Sequence, residues 1–191
     1  LDLNATAAVA VNAGTAVSDA QGQVFFEVGH GLRDHALGTA PKAFAIDPAR
    51  NELRPHIWDH LDTCLPAGST GMTLAGAHAS HLLANVDIDP KGRWVLLQTR
   101  PTRPDVPERR LVVRLNVPRD GTDPLLGQPI THLSWDDPTP FDLDLDTLVL
   151  RGNLLPATSG LTRSQRLRIG PPTSPTDPEP DIPQAVERLG T

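Results

Sequence analysis

The chain has 191 residues, enough to bury a core as one large domain or two small ones, and its net charge of −6 comes from 23 acidic and 17 basic side chains. That balance lacks the basic footprint of a nucleic-acid-binding domain, and no apolar run approaches the roughly 18 residues of a membrane span. Twenty prolines and fifteen glycines disfavour long helices, because an interior proline removes a hydrogen bond and clashes with the preceding turn.

With four Phe, three Trp and no Tyr, any core must be built from Leu, Val, Ile and Ala. The single cysteine, Cys64, excludes an internal disulfide framework and points to a reducing compartment during synthesis. No signal peptide is visible. The chain opens at Leu1 in strand-like sequence, so it is expected to be an excerpt of a longer protein.

In chain order, strands alternate with turn punctuation. Val9 to Val11 is short and β-branched, and Asn12-Ala13-Gly14-Thr15 follows as a turn. Val24 to Val28 is a fuller strand, entered through Gln21-Gly22-Gln23 and ended by Gly29. Ala43 to Ile46 and Arg54 to Trp58 are weaker candidates around the Asp47-Pro48 turn. Ser69 to Leu74 follows a Leu65-Pro66-Ala67-Gly68 turn, and Ala75 to Val86 holds a short helix. Arg93 to Gln98 is apolar enough to be covered on both faces.

Thr99 to Glu108, with three prolines, is an exposed loop. Leu111 to Val117 is the clearest strand, with residues 111, 113, 115 and 117 facing one way and Arg114 and Asn116 the other. Pro118 to Pro129 reads as a long turn and Ile130 to Trp135 as another strand. Asp142 to Leu150 alternates acid and leucine before becoming continuously apolar, and Gly152-Asn153 then reads as a turn. Gly170 to Pro183 is too rich in proline for a sheet interior.

The expected fold is therefore mainly β, a sandwich-like or α+β domain with short strands, long proline-rich loops and little helix. It covers residues 1–169, with a division into 1–50 and 51–169 open, and 170–191 forms an arm or linker to a further domain.

Candidate chemistry is sparse. His56 and His60 form an H-x-x-x-H pair, but Ile57 stands where a zinc protease needs Glu. Cys64, His78 and His81 bring the possible zinc ligands in this stretch to five; the plainer reading is ordinary polar residues around a loop. Asp142, Asp144 and Asp146 open like a calcium loop. Thr147 and Asn153 then occupy the positions that need Gly and Glu. A solvated strand edge, where acids discourage strand addition, is the better reading.

No nucleophile elbow or phosphate cradle occurs. No catalytic, cofactor-binding or metal-binding residue is assigned, and no cofactor is expected. Trp58, Trp94 and Trp135 are expected to anchor the core.

Four stretches, in order, resemble the putative baseplate assembly protein family, the wedge subunits of contractile phage tails and related injection systems. Asn12-Ala13-Gly14-Thr15 followed by Val24-Phe25-Phe26-Glu27 is similar to an "aGT…vFET" opening. Ile57-Trp58-Asp59 through Cys64-Leu65-Pro66-Ala67-Gly68-Ser69-Thr70 resembles "W…CCLPxGxT". The third stretch comprises Trp94 to Leu97, Leu111 to Leu115, Asp123-Pro124-Leu125 and Ile130 to Trp135. Gly152-Asn153-Leu154-Leu155-Pro156-Ala157-Thr158 is close to "GNvvxATHGET".

The chain departs from these patterns at Thr63, in place of the first of two paired cysteines, and at Ser159 and Leu161, where the family tends to have His and Glu. Gly170-Pro171-Pro172 replaces a following "GSGD".

The resemblance implies a non-catalytic scaffold that holds a baseplate together and repacks its interfaces on contraction. Its partners would be copies of itself and a second wedge subunit, with sheath and spike or hub proteins nearby, and neither nucleic acid nor membrane insertion is involved. Such a particle is assembled in the bacterial cytoplasm and can be released outside the cell. The Arg-rich segments 100–114 and 163–168 are candidate interface surfaces, with ordinary solvated strand edges as the slightly favoured alternative. On the residues alone, a β-sandwich recognising a receptor or glycan and a zinc-dependent hydrolase stay open.

Overall fold

The computed structural model describes residues 1–31, 42–59, 63–83, 93–163 and the backbone of 188–189. The fold is mainly β, as composition and turn spacing predict. The first strands are β1 (Val9–Asn12), β2 (Ala16–Ser18), β3 (Phe25–Val28), β4 (Ala43–Ile46), β5 (Cys64–Leu65) and β6 (Gly71–Ala75). A one-turn helix α1 (Ala79–Leu82) precedes β7 (Trp94–Thr99), β8 (Arg110–Arg114), β9 (Arg119–Thr122) and β10 (Pro129–Ser134). β11 (Leu143–Asp144), β12 (Leu148–Arg151), β13 (Ala157–Ser159), β14 (Leu161–Thr162) and β15 (Arg188–Leu189) complete the order. The segment 170–187 lies outside the described residues.

Two compact units divide the chain, one comprising Leu1–Ala10 and Ala45–Leu155, the other Val11–Phe44 and Pro156–Thr191. β1 and β4 pair in a sheet of their own.

The larger unit is built on antiparallel sheets of order β12-β7-β8 and β6-β10-β9, with β11 paired to β5. Period-two alternation directs Val95 and Leu97 of β7, Val113 of β8 and Leu148 and Leu150 of β12 into one core. Leu74, Leu133, Leu143 and Trp135 enter the same core from neighbouring segments. β7 is buried on both faces from Val95 to Thr99, as its unbroken apolar run predicts. An isolated bridge between Leu115 and Trp135 joins the end of β8 to the end of β10.

Three expectations are corrected in this unit. Pro118 to Pro129 is not one turn: β9 pairs with β10 from Pro129↔Thr122 to His132↔Arg119, and only the tip around Asp123 to Gln128 reverses the chain. Arg-Asp-Gly-Thr has no apolar alternation, so backbone pairing, not a buried face, holds β9. Arg54 to Trp58 forms no strand and contributes only an isolated bridge, Pro55↔Leu74. Val117 turns outward, 52% exposed, because the chain has left the ladder after Leu115.

The smaller unit centres on the sheet β13-β3-β2. Asp19 makes its entry turn, its Oδ1 accepting from the N–H groups of Gln23 (2.7 Å) and Val24 (3.0 Å). Val28 is buried, and the buried Glu27 carboxylate accepts from the Thr162 N–H.

Candidate functional site

The motif residues of the larger unit serve its own scaffold. At Gly152-Asn153 no left-handed turn forms, since the described non-glycine residues all keep negative φ and Gly152 is not among the positive-φ glycines. Gly152 is instead a point of close approach: an added Cβ would lie 3.2 Å from Leu82 Cδ2 and 3.3 Å from Arg50 Cβ.

Asn153 is 1% exposed and fully engaged. Its Oδ1 accepts from the Asp47 N–H (3.0 Å), and its Nδ2 donates to Asp47 O and Asn51 Oδ1, both at 2.8 Å. Asn51 in turn brackets Ala5, accepting from its N–H (2.7 Å) and donating to its carbonyl (2.6 Å).

The Leu65-Pro66-Ala67-Gly68-Ser69 segment is a second internal clasp. Gly68, at φ +88°, turns its N–H to Thr139 O (2.7 Å), and Thr139 Oγ1 accepts from Ser69 N (3.1 Å) while donating to Pro66 O (3.0 Å). Trp135 Nε1 donates to Ser69 O (3.2 Å), which satisfies the one polar atom of a core indole.

The histidines weighed as zinc ligands go to separate places. His56 Nε2 stands 3.2 Å from Asp123 Oδ2 in a buried pair, and its ring meets Trp58 edge to face at 4.7 Å. His78 Nε2 lies 2.9 Å from Ala75 O, and His81 Nδ1 is 3.3 Å from Asp47 Oδ2. Cys64 is exposed on β5, and His60 lies outside the described residues. Among the described residues, no group of three or more His, Cys, Asp or Glu side chains could hold a metal ion.

Asp142, Asp144 and Asp146 point outward while Leu143 and Leu145 turn inward. Asp142 accepts from the Ala67 N–H (2.7 Å). Asp144 accepts from the Asp146 N–H and the Thr147 hydroxyl, both at 3.0 Å.

Three structural carboxylates sit below the ordinary range. The Ala49 N–H holds Asp47 down against the opposing effect of burial, and His81 assists. At Asp123 the Leu125 N–H acts first, again opposed by burial, with Leu126 and His56 adding to it. Burial pushes Asp120 upward, but the Thr131 hydroxyl and the N–H groups of Ala79 and His78 together outweigh it. Arg50 and Arg93 are lowered by burial.

Two features face outward. An open groove of about 440 Å³ is lined by Cys64, Asp142, Asp144, Pro101, Pro107 and Arg109, among others. Arg109 stacks its guanidinium 4.9 Å from the Phe141 ring. The second feature is a set of exposed large apolar side chains.

Trp94 is 54% exposed and Trp58 42%, so of the three tryptophans expected in the core only Trp135 is there. Trp94 shares its face of β7 with the buried Leu96 and Gln98 but stands at the strand's first residue, before that cover begins, and Trp58 lies in an irregular segment. Leu125 and Leu126, at 79% and 68%, form the tip between β9 and β10.

Of the expected Arg-rich surfaces, Arg100 pairs with Glu52 (3.1 Å), Arg103 with Asp105 (2.5 Å) and Arg110 with Glu108 (2.5 Å). Segment 164–168 lies outside the described residues. Among those described, no helix is long and apolar enough to cross a membrane. Comparison with protein-family models, with curated proteins and with solved structures finds no match to this chain.

Proposed function

We propose that the chain is a non-catalytic structural module of a multi-protein assembly, of the kind formed by the baseplate wedge subunits of contractile phage tails and injection systems. One observation carries this reading. The segments of the larger unit that resemble the wedge family, around 65–70 and 152–155, spend their polar groups on their own backbone. The large side chains left outside include apolar ones and paired arginines.

A surface of that composition is suited to packing against neighbours, where aromatic residues and arginine concentrate. The partners would be further copies, a second wedge subunit and the adjoining sheath and hub. The particle is assembled in the bacterial cytoplasm and can leave the cell, and contraction would act through repacking of these interfaces.

The test is electron microscopy of native particles carrying a tagged chain. Label at the end plate of sheathed tubes is the expected result. A chain that purifies only as a monomer or small oligomer, never with tubes, would overturn the reading. A glycan- or receptor-binding module is the second reading, favoured by the exposed Trp94 with Arg114 stacked 5.8 Å from its ring. Saturable glycan binding lost in Trp94→Ala would establish it instead.

A further inference from the structure

Pro48–Arg50 folds as a 3-10 turn because Asp47 caps it, its Oδ1 accepting from the Ala49 N–H (2.9 Å), and proline suits a first position whose N–H needs no partner. The turn delivers Arg50 to Gly152. An added Cβ on Gly152 would lie 3.3 Å from Arg50 Cβ and 3.6 Å from its Cγ, and the Gly152 N–H donates to Arg50 O at 2.8 Å. Leu82 Cδ2, on α1, approaches the same point at 3.2 Å. Arg93, the residue before β7, donates from its backbone N–H to Leu82 O (3.2 Å) and from its Nε to Leu83 O (2.9 Å). Both arginines are thereby held beside the C-terminal end of α1.

Their donors are only partly used. The Arg50 side chain is 8% exposed, and its Nη1 donates to Ala45 O at 2.8 Å. Its Nη2 stands 3.8 Å from Asp47 Oδ2, beyond hydrogen-bonding distance, and its Nε is buried without an acceptor. Among the described residues, neither Nη group of Arg93 meets an acceptor. A guanidinium carries five N–H donors and does not shed its charge, so unmade bonds in a buried one are costly.

The charges do not balance either. Burial lowers Arg50 and Arg93, and the Arg50 cation lowers Arg93 further. Asp47 is the carboxylate that offsets both, and it also faces His81, whose Nδ1 is 3.3 Å from Oδ2. A single carboxylate thus serves two guanidiniums and an imidazole. The excess positive charge lies where burial strengthens repulsion beyond its value in water. Struts to Ala45 O and Leu83 O account for one donor of each arginine, but not for placing two cations together.

We propose that Arg50 and Arg93 together bind a small oxyanion, a carboxylate or phosphate group, beside the C-terminal end of α1. Its oxygens would accept from the unused guanidinium donors, whose planar fork suits either group, and its charge would offset the excess. The site goes beyond the wedge reading and does not rest on it, so the two can fail separately.

The test uses the full chain, with inorganic phosphate and acetate as probes and chloride at equal ionic strength as the control. NMR follows the Nε–H signals of Arg50 and Arg93. At least one probe should move both signals along a single saturating curve. It should also raise the thermal midpoint by about 3 °C or more at about tenfold excess over the dissociation constant. Binding of acetate points to the carboxylate of a neighbouring chain and binding of phosphate alone to a phosphate group; either upholds the site.

Arg50→Gln should abolish the effect. Arg93→Gln, at a half-buried position, should weaken binding by about tenfold or more, which keeps the test decisive if the Arg50 variant does not fold. Arg119→Gln removes an equal charge from an exposed position of β9 and should change nothing. Signals that stay still with both probes, an effect equalled by chloride, undiminished affinity in Arg93→Gln, or equal weakening by Arg119→Gln would overturn the proposal.

Discussion

Trp135 and Trp94 stand beside consecutive residues of one strand end and meet opposite surroundings. Trp135 bridges Leu115 and is 2% exposed, with its indole N–H bonded to Ser69 O. Trp94 stands opposite Arg114 in the β7–β8 register and is more than half exposed. A shift of one residue along a strand exchanges faces, and Trp94 also stands at the end of β7, outside the cover that buries Leu96 and Gln98 on the same face. The same contrast holds for the polar groups. Those of Asn51 and Asn153 are consumed within the fold, whereas the Leu125-Leu126 tip is left exposed.

The largest effect expected from breaking this comparison is at the two tryptophans. Trp135→Ala should destabilise the larger unit by about 3–5 kcal/mol, the usual cost of truncating a buried aromatic. Trp94→Ala should cost less than about 1 kcal/mol, since truncations on an exposed face remove little buried area. Denaturant midpoints of the two variants measure the difference directly. Equal losses would mean that the Trp94 end of β7 is as packed as the core.

The sequence made one side of this contrast readable. Arg93-Trp94-Val95-Leu96-Leu97-Gln98 announces a buried strand because nothing in it is strongly polar between its ends. The same continuity erases the alternation that would tell Trp94 from Val95. β8, with Arg110 and Arg114 bracketing Leu111 to Val113, disclosed its faces as far as Leu115. β9 did not, because Arg-Asp-Gly-Thr pairs through backbone and carries no apolar signal.

The polar hub was misread for a different reason. Gly-Asn favours left-handed turns locally, but here Asn153 serves Asp47 and Asn51, about a hundred positions away. No local spacing records such a partnership. The histidines went to separate partners, His56 to Asp123, His81 to Asp47 and His78 back to Ala75 O, so their closeness in sequence carried no shared geometry.

Asn153→Ala sharpens the interior side of the comparison. It would leave the Asp47 N–H without its acceptor and Asn51 Oδ1 without one donor. At about 1–3 kcal/mol for a buried group left unsatisfied, a total loss on the order of 3 kcal/mol is expected. Urea unfolding measures it, and Asn153→Asp is the informative companion. That carboxylate can still accept from Asp47 N–H but cannot donate to Asp47 O, so most of the loss should persist. A loss below about 0.5 kcal/mol in both variants would show that the hub is peripheral to folding.

Acid should loosen the same interior, and by less, because water screens much of each carboxylate's interaction. Asp47, Asp120 and Asp123 all lie below the ordinary carboxylate range in the folded chain. A carboxylate with a lowered folded pKa binds protons more readily when unfolded, so its stabilisation is complete above the unfolded value. It is lost as pH falls from there through the folded value. Urea midpoints should therefore hold steady down to about pH 5 and decline below about pH 4. Asp120→Asn should flatten part of that decline. A midpoint that rises on acidification through this window would reverse the sign and refute the assignment.

The smallest effect on folding is expected at the tip between β9 and β10, where it tests the outward side most cleanly. Leu125 and Leu126 are the most exposed of the large apolar residues described. Beneath them the turn is held by other groups: Asp123 accepts from the Leu125 N–H (2.7 Å), Gly127 N–H reaches Asp123 O (2.8 Å), and His56 pairs with the Asp123 carboxylate. Replacing both leucines by serine removes neither these bonds nor core volume, so the denaturation midpoint should move by no more than about 0.5 kcal/mol. Incorporation into the native assembly should fall if the tip packs against a neighbour. Incorporation would be followed by the ratio of variant to wild-type chain in purified particles after co-expression. A lost midpoint would show that the leucines already pack within the isolated chain. An unchanged midpoint with full incorporation would remove the tip from the interface.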